Sequence, residues 1–255
     1  MKYLTIFPFG GTKALPVAVR ALESRGARIA QAPQDAVTHL LLPVPSFDAD
    51  GTIRGGGDLE DVLKLLPPNI TVLGGNLTNP LLAGYETVDL LQDEQYLAEN
   101  AELTAECTMV ILRNLLPVQL RKLPILVIGW GRIGKCLAKK LQLLGAQVQV
   151  AARKKTDRGM LTALGYEALS IEQMRKELSR YRVIINTAPT LMLTREQLKS
   201  CAPECVKIDL ASVCGMEGAD VIVARGLPGK QLPESSGMLM ADTVLRLLRE
   251  KGETP

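Results

Sequence analysis

Apolar positions along this chain fall into short runs separated by longer amphipathic stretches, the pattern of a repeating strand–helix unit. Residues 2–7 read as a strand and Leu15–Ser24 as a helix stopped by Gly26. Residues 28–30 read as a short strand, and residues 39–44 and 71–73 as buried ones, with Gly55, Gly56 and Gly57 marking a surface loop. From about Glu94 to Leu116, Leu97, Leu103, Met109, Val110, Leu112 and Leu116 recur along one long helical pattern. Pro124–Ile128, Gln147–Ala151, Val183–Asn186 and residues 206–210 and 220–223 form a second set of strands, with a helix over residues 135–144. A final amphipathic helix, residues 237–251, carries Leu239, Val244, Leu245 and Leu248.

Strands that alternate with helices predict an α/β chain of two Rossmann-like domains with mainly parallel sheets. Residues 1–100 form the first domain (flavodoxin- or Rossmann-like), residues 101–116 a bridging helix and residues 117–236 the second domain. Residues 237–255 form a helix expected to return to the first domain. Ligands in such sheets bind beyond the carboxyl ends of the strands, so a cleft between the halves is expected there.

Composition narrows the function. An apolar fraction of 47% supports a full core and argues against disorder. The net charge of +3 is scattered and aromatics are 4%, so no basic stripe with stacking rings points to nucleic acid. No apolar stretch is long enough to span a bilayer, and the opening residues are too short for a signal peptide, so a cytoplasmic location is expected. The five cysteines (Cys107, Cys136, Cys201, Cys205, Cys214) contain no CxxC pair and read as free thiols. The one histidine, His39, sits in an apolar run and reads as a satisfied strand residue, and no metal site is expected.

The chemistry gathers at Gly129-Trp130-Gly131-Arg132-Ile133-Gly134, directly after an apolar strand and before a helix. Gly129 permits the tight turn, Gly131 the approach of a pyrophosphate, and Gly134 the packing of helix on strand. The helix start then offers free N–H groups to the phosphates. An acid that would hold a ribose 2′-hydroxyl is expected at the end of the second strand. Arg153, Lys154 and Lys155 stand there instead, with Asp157 beyond them. Cations suit a 2′-phosphate, so the expected cofactor is NADP.

Other candidates lie at strand ends. Asn186, Thr187, Ala188 and Pro189 close one strand, where Asn186 and Thr187 are placed for the nicotinamide end. Asp209 closes the next, an anion among apolar residues that reads either as a ligand contact or as a hydrogen-bond hub. Gly229, in Gly226-Leu-Pro-Gly-Lys, is a further cofactor candidate. Ser235 or Ser236 is expected to cap the last helix and hold a carboxylate. Gly11, Thr12 and Lys13, Ser46, and Asn76 after Gly74-Gly75 are candidate anion donors in the first domain. Glu106, on the long helix with Asn100 and Thr104, joins Asp209 as a candidate acid or base.

Several segments occur together and in order: Gly129-x-Gly-Arg-Ile-Gly-Lys, Ala152-Arg153, Asn186-Thr-Ala-Pro, Ile208-Asp-Leu-Ala-Ser, Gly226-Leu-Pro-Gly-Lys and Pro233-Glu-Ser-Ser-Gly. In this combination the chain resembles the dipicolinate synthase A-subunit family of endospore-forming bacteria. It departs where the family carries a proline–glycine–glycine turn, with Val213-Cys214-Gly215-Met216 in its place. The resemblance implies NADP-linked formation of dipicolinate (pyridine-2,6-dicarboxylate) from a dihydro or hydroxytetrahydro precursor during sporulation. It also implies a flavoprotein-like partner, the dipicolinate synthase B-subunit, and a mother-cell cytoplasmic location; a homo-oligomer is a separate expectation that the resemblance does not supply. In that scheme Asp209, Asn186 and Glu106 serve catalysis. The alternatives are a 2-hydroxyacid or shikimate-type NADP dehydrogenase, and a non-catalytic nucleotide-binding component of a flavoprotein complex.

Overall fold

A computed structural model of the chain describes residues 4–253. The chain divides into two compact units, residues 1–103 with 228–255, and residues 104–227. The expected opening strand is Thr5–Pro8, and its first residues, Lys2 and Tyr3, lie outside the described residues.

The first unit is built on five parallel strands: β1 (Thr5–Pro8), β2 (Arg28–Ile29), β3 (His39–Leu41), β4 (Thr71–Gly74) and β5 (Glu86–Asp89). Their order is β2-β1-β3-β4-β5, the flavodoxin-like winding that reverses between β1 and β3. Helix α1 (Leu15–Ser24) follows β1, and α2 (Leu59–Leu65) starts at an Asp58 cap that accepts from the Glu60 and Asp61 amides. α3 (Glu94–Leu115) is the long helix, and the two units divide within it.

The second unit holds six parallel strands: β6 (Pro124–Ile128), β7 (Gln147–Ala151), β8 (Glu167–Leu169), β9 (Val183–Asn186), β10 (Val206–Asp209) and β11 (Val221–Val223). The order β11-β10-β9-β6-β7-β8 is the doubly wound dinucleotide-binding arrangement, reversing between β6 and β9. Ile125, Leu126, Val127 and Ile128 of β6 are all fully buried, as expected of a strand covered on both faces. α4 (Arg132–Leu143), α5 (Lys155–Ala163), α6 (Ile171–Lys176) and α7 (Arg195–Leu198) connect the strands.

The chain end returns to the first unit through α8 (Leu227–Gln231) and α9 (Pro233–Glu250). α9 packs along α1, and Leu239, Met240, Val244, Leu245 and Leu248 share one core with Leu15, Ala18, Ala21 and Leu22. Gly237 makes this approach possible, because a Cβ there would lie 2.5 Å from Ala14 O and from Val17 Cβ.

Leu227–Gln231 is a short helix, and one local expectation is corrected. Neither Ser235 nor Ser236 caps the last helix. Leu232 is its N-cap and Pro233 opens its first turn. Proline is preset for that position and has no N–H to leave unpaired, so the helix starts earlier than the serines suggest.

Candidate functional site

The three glycines of the β6–α4 turn each have a separate geometric reason. Gly129 holds φ +104, and a Cβ on it would meet Thr187 Oγ1 at 2.6 Å. A Cβ on Gly134 would sit 2.2 Å from Gly129 O, so only glycine lets α4 lie this close to the turn. Gly131, the N-cap of α4, is exposed, and a Cβ built on it finds no atom within 4 Å. Open space at the helix start is where the dinucleotide-binding pattern needs an absent side chain.

The turn is braced from β9. Thr187 Oγ1 donates to Ile128 O at 2.9 Å, and the Thr187 amide donates to the same carbonyl at 2.8 Å. Asn186 is fully buried. Its Oδ1 accepts from the Ala188 amide at 3.1 Å, while Nδ2 donates to Ala188 O at 3.1 Å and to Asp209 Oδ1 at 3.2 Å. Asp209 is also fully buried. It accepts from the Ala211 amide (3.0 Å) and the Gly215 amide (2.7 Å), with Cys214 Sγ at 3.8 Å. These donors satisfy a buried anion that would otherwise be costly. Asn186 and Asp209 therefore hold the loops after β9 and β10. A Cβ on Gly215 would lie 2.4 Å from Asn186 Nδ2, so the divergent Val213–Met216 segment keeps a glycine where the hub needs one.

At the end of β7, Arg153 and Lys154 are exposed, with Lys154 the N-cap of α5. Arg158, which no sequence motif marks, donates from Nη1 to Ala152 O (2.9 Å) and Arg153 O (2.7 Å). It fixes the bend that presents the two cations. Trp130 is half-buried, edge-on to Tyr166 with ring centroids 5.5 Å apart, and Lys135 Nζ lies 6.0 Å from its ring. Arg132 is exposed in the first turn of α4, Ile133 is half-buried beside it, Ala188 is half-buried and Pro189 exposed. Glu106 is exposed on α3, while Thr104 and Thr108 on that helix are buried.

The first unit also has a glycine turn after its first strand, but it is filled. The Gly11 amide donates to Arg54 O at 2.9 Å, and a Cβ on Gly11 would sit 3.1 Å from Gly55 O. Gly11 therefore has no free N–H for an anion, a correction to its expected role, whereas Thr12 is half-buried and Lys13 exposed. Ser46 is fully buried. Its hydroxyl donates to Pro43 O (2.8 Å) and accepts from the Gly75 amide (3.0 Å), so it braces the loop and does not face a ligand. Asn76 is exposed at φ +61, its amide held by Asp89 Oδ1 at 2.9 Å. Asp89 also accepts from the Leu77 and Leu91 amides, an organising role with no motif to announce it. Ser236 is buried in the first turn of α9 with its amide on Leu232 O, Ser235 is exposed, and Gly229 lies in α8.

Comparison with known proteins agrees with this geometry. Residues 95–211 match the model of the D-isomer specific 2-hydroxyacid dehydrogenase NAD binding domain. The chain is 25% identical over 242 residues to the dipicolinate synthase A-subunit of Bacillus subtilis, covering 87% of this chain and 81% of that one. The crystal structure of the A-subunit from Bacillus halodurans superposes with a TM-score of 0.85 at 23% identity, over 96% of this chain and 97% of that one. That of the Bacillus subtilis enzyme superposes with a TM-score of 0.83 at 22% identity, over 98% and 97%. The resemblance to the dipicolinate synthase A-subunit is borne out. The second unit is a nicotinamide-dinucleotide-binding domain of the oxidoreductase type. Among the described residues, no helix is long and apolar enough to cross a membrane.

Proposed function

We propose that this chain is an NADP-linked oxidoreductase that forms pyridine-2,6-dicarboxylate from a partly reduced heterocyclic dicarboxylate. In this reading it works with a flavoprotein-like second subunit in the cytoplasm of a sporulating mother cell. The observation that carries the cofactor reading is the open Gly131 turn combined with exposed Arg153 and Lys154 at the end of β7. The residues fit the group: a Cβ is absent where pyrophosphate would approach, helix N–H groups follow it, and no acid precedes Asp157 at the ribose edge.

NADP supplies a hydride acceptor, and loss of hydride from a dihydropyridine ring gains aromatic stabilisation. The protein's part is then mainly orientation and one proton acceptor. The start of α4 holds the pyrophosphate, and Arg153 and Lys154 hold the 2′-phosphate as charge-assisted donors. Thr187, Ala188 and Pro189 shape the nicotinamide end. Asn186 and Asp209, both fully buried, act as positioning residues that fix these loops. Of the three candidate carboxylate and amide groups, Glu106 is the exposed one and so the one open to a ring proton. In the first unit, Thr12, Lys13 and Asn76 are the donors offered to a carboxylate, with exposed Ser235 a further one. A histidine-dependent 2-hydroxyacid mechanism is disfavoured, because His39 is buried on β3 with Nδ1 2.8 Å from Thr38 Oγ1.

Titration of the purified chain with NADP and NAD tests the cofactor reading. NADP is expected to bind more than about tenfold tighter, and Arg153→Ala to lose about tenfold or more of that affinity with NAD unchanged. NAD binding as tightly as NADP in the native chain would reject NADP. Dihydrodipicolinate supplied with the partner protein should give NADPH and an ultraviolet-absorbing pyridine dicarboxylate only when this chain is present.

A further inference from the structure

Away from the cofactor turn, at the amino ends of β9 and β10, the segment Ser200-Cys201-Ala202-Pro203-Glu204-Cys205 carries two thiols that the proposed reaction does not use. Both pack in the same apolar cluster, Cys205 buried and Cys201 half-buried at its edge. The Cys205 amide donates to Ala202 O at 3.0 Å and the Cys201 amide to Leu198 O at 3.1 Å, so two successive turns fold the segment back on itself. Each sulfur lies within electrostatic reach of the other, and Cys205 Sγ sits 3.8 Å from Val206 O.

The surroundings are cationic. Lys207 is buried, its Nζ donating to Cys205 O at 3.2 Å and to Asp220 Oδ2 at 2.6 Å. Asp220 is largely exposed, so that ion pair is open to water on one side only. Arg182, one residue before β9, has a buried Nη1 with no hydrogen-bond partner and adds a second positive charge beside Cys205. A buried lysine and an unpartnered guanidinium nitrogen are a setting that favours a thiolate.

We propose that Cys201 and Cys205 form a reversible dithiol–disulfide centre, oxidised by hydrogen peroxide, with Cys201 the attacking thiolate and Cys205 the resolving thiol. Its electrostatics agree. The neighbouring Cys205 thiol draws Cys201 below the ordinary thiol value, against burial and Asp220 and with help from Lys207. The Cys201 thiol, with burial, pushes Cys205 up, so one thiolate is shared by the pair. In the first step Cys201 sulfur bonds a peroxide oxygen, the O–O bond breaks, and the departing hydroxide takes a proton to leave as water. Cys205 sulfur then attacks the sulfenic sulfur, the S–S bond forms, the S–O bond breaks, and a second water leaves with the Cys205 proton. Two thiols are oxidised by two electrons and one peroxide is reduced. A dithiol reductant restores the pair.

Trypsin places both residues in one peptide, Ser200 to Lys207, so closure appears as that peptide made lighter by the two hydrogens lost. The full chain is exposed to hydrogen peroxide, free thiols are blocked, and the peptides are mapped without reductant. The closed peptide is expected to accumulate before Cys214, the exposed thiol, is modified, and to reopen with dithiothreitol. In Cys205→Ser, Cys201 is expected to stop at a sulfenic acid trapped by dimedone. In Lys207→Met, closure is expected to slow by about tenfold. Oxidation of Cys214 while the Ser200–Lys207 peptide stays reduced would overturn the proposal, as would closure only after denaturation. The wild-type mapping decides the matter even if a variant fails to fold.

Discussion

In the second unit the turn after β6 leaves open space beyond Gly131, whereas in the first unit the turn after β1 is packed by the loop around Arg54 and Gly55. Both turns follow the first strand of a parallel sheet, both carry paired or spaced glycines, and both lead into a helix. The difference lies in what occupies the space past the glycine. At Gly131 no atom lies within 4 Å of a built Cβ. At Gly11 the amide is already bonded to Arg54 O, and at Gly55 a Cβ would lie 2.2 Å from the Gly11 backbone. A glycine turn binds an anion only if its N–H groups are left without a partner in the chain. The second unit leaves the space past Gly131 open, and the first has turned the same device into a loop-to-loop joint.

The strongest way to break this comparison is to fill the tight glycine in each unit. Gly134→Ala puts a methyl 2.2 Å from Gly129 O, and Gly55→Ala puts one 2.2 Å from Gly11 at φ +85. Each is expected to cost about 3 kcal/mol, read from the denaturant midpoint. Only Gly134→Ala is expected to abolish NADP binding. If Gly55→Ala abolished it equally in folded protein, the first turn would be part of the cofactor site after all.

A gentler pair sharpens the contrast. Gly131 has φ −79, so Gly131→Ala introduces no strain and should leave the melting temperature unchanged. Its methyl occupies the phosphate approach, and NADP affinity should fall by more than about tenfold. Gly11→Ala meets Gly55 O at 3.1 Å and should do the reverse, lowering stability by about 1 kcal/mol with cofactor affinity intact. Calorimetric titration beside thermal melts separates the two outcomes.

The smallest effect is a pH dependence confined to the first unit. Burial lowers the pKa of His39 below its ordinary 6.5, opposed by Glu253, whose Oε2 lies 3.1 Å from Nε2 but off hydrogen-bond geometry. The folded state therefore resists protonation more than the unfolded chain does. Stability is full above pH 6.5 and falls as the pH drops from there to the lowered native value, by less than either glycine effect. His39→Gln should flatten that slope in denaturation measured between pH 7 and pH 5. A slope that persists in the variant would assign the effect to carboxylates.

Most of the strands and the long helix were legible because buried parallel strands are near-continuous apolar runs, and α3 repeats its apolar positions over many turns. Helix starts were less so. Ser235 and Ser236 have the composition of caps, yet Pro233 opens α9 and Ser236 is buried in its first turn. Gly237 reads in sequence as part of a motif. In the fold its reason is the contact with Ala14 and Val17. Asp209 and Asn186 were legible as strand-end polar residues, but their mutual bond and their hold on Ala188, Ala211 and Gly215 join parts of the chain far apart in sequence.

The sequence alone determined the two parallel-sheet units, the dinucleotide turn at Gly129–Gly134 and the cations at Arg153 and Lys154. All of these are set by local periodicity, glycine spacing and residue type within a few positions. Only the tertiary structure decided which polar groups stay available. Arg158 ties down the β7 bend, Ser46 and Asp89 lock loops, and Gly11 gives its amide to Arg54. Availability is a property of partners, and partners are chosen by packing between segments that the chain order keeps apart.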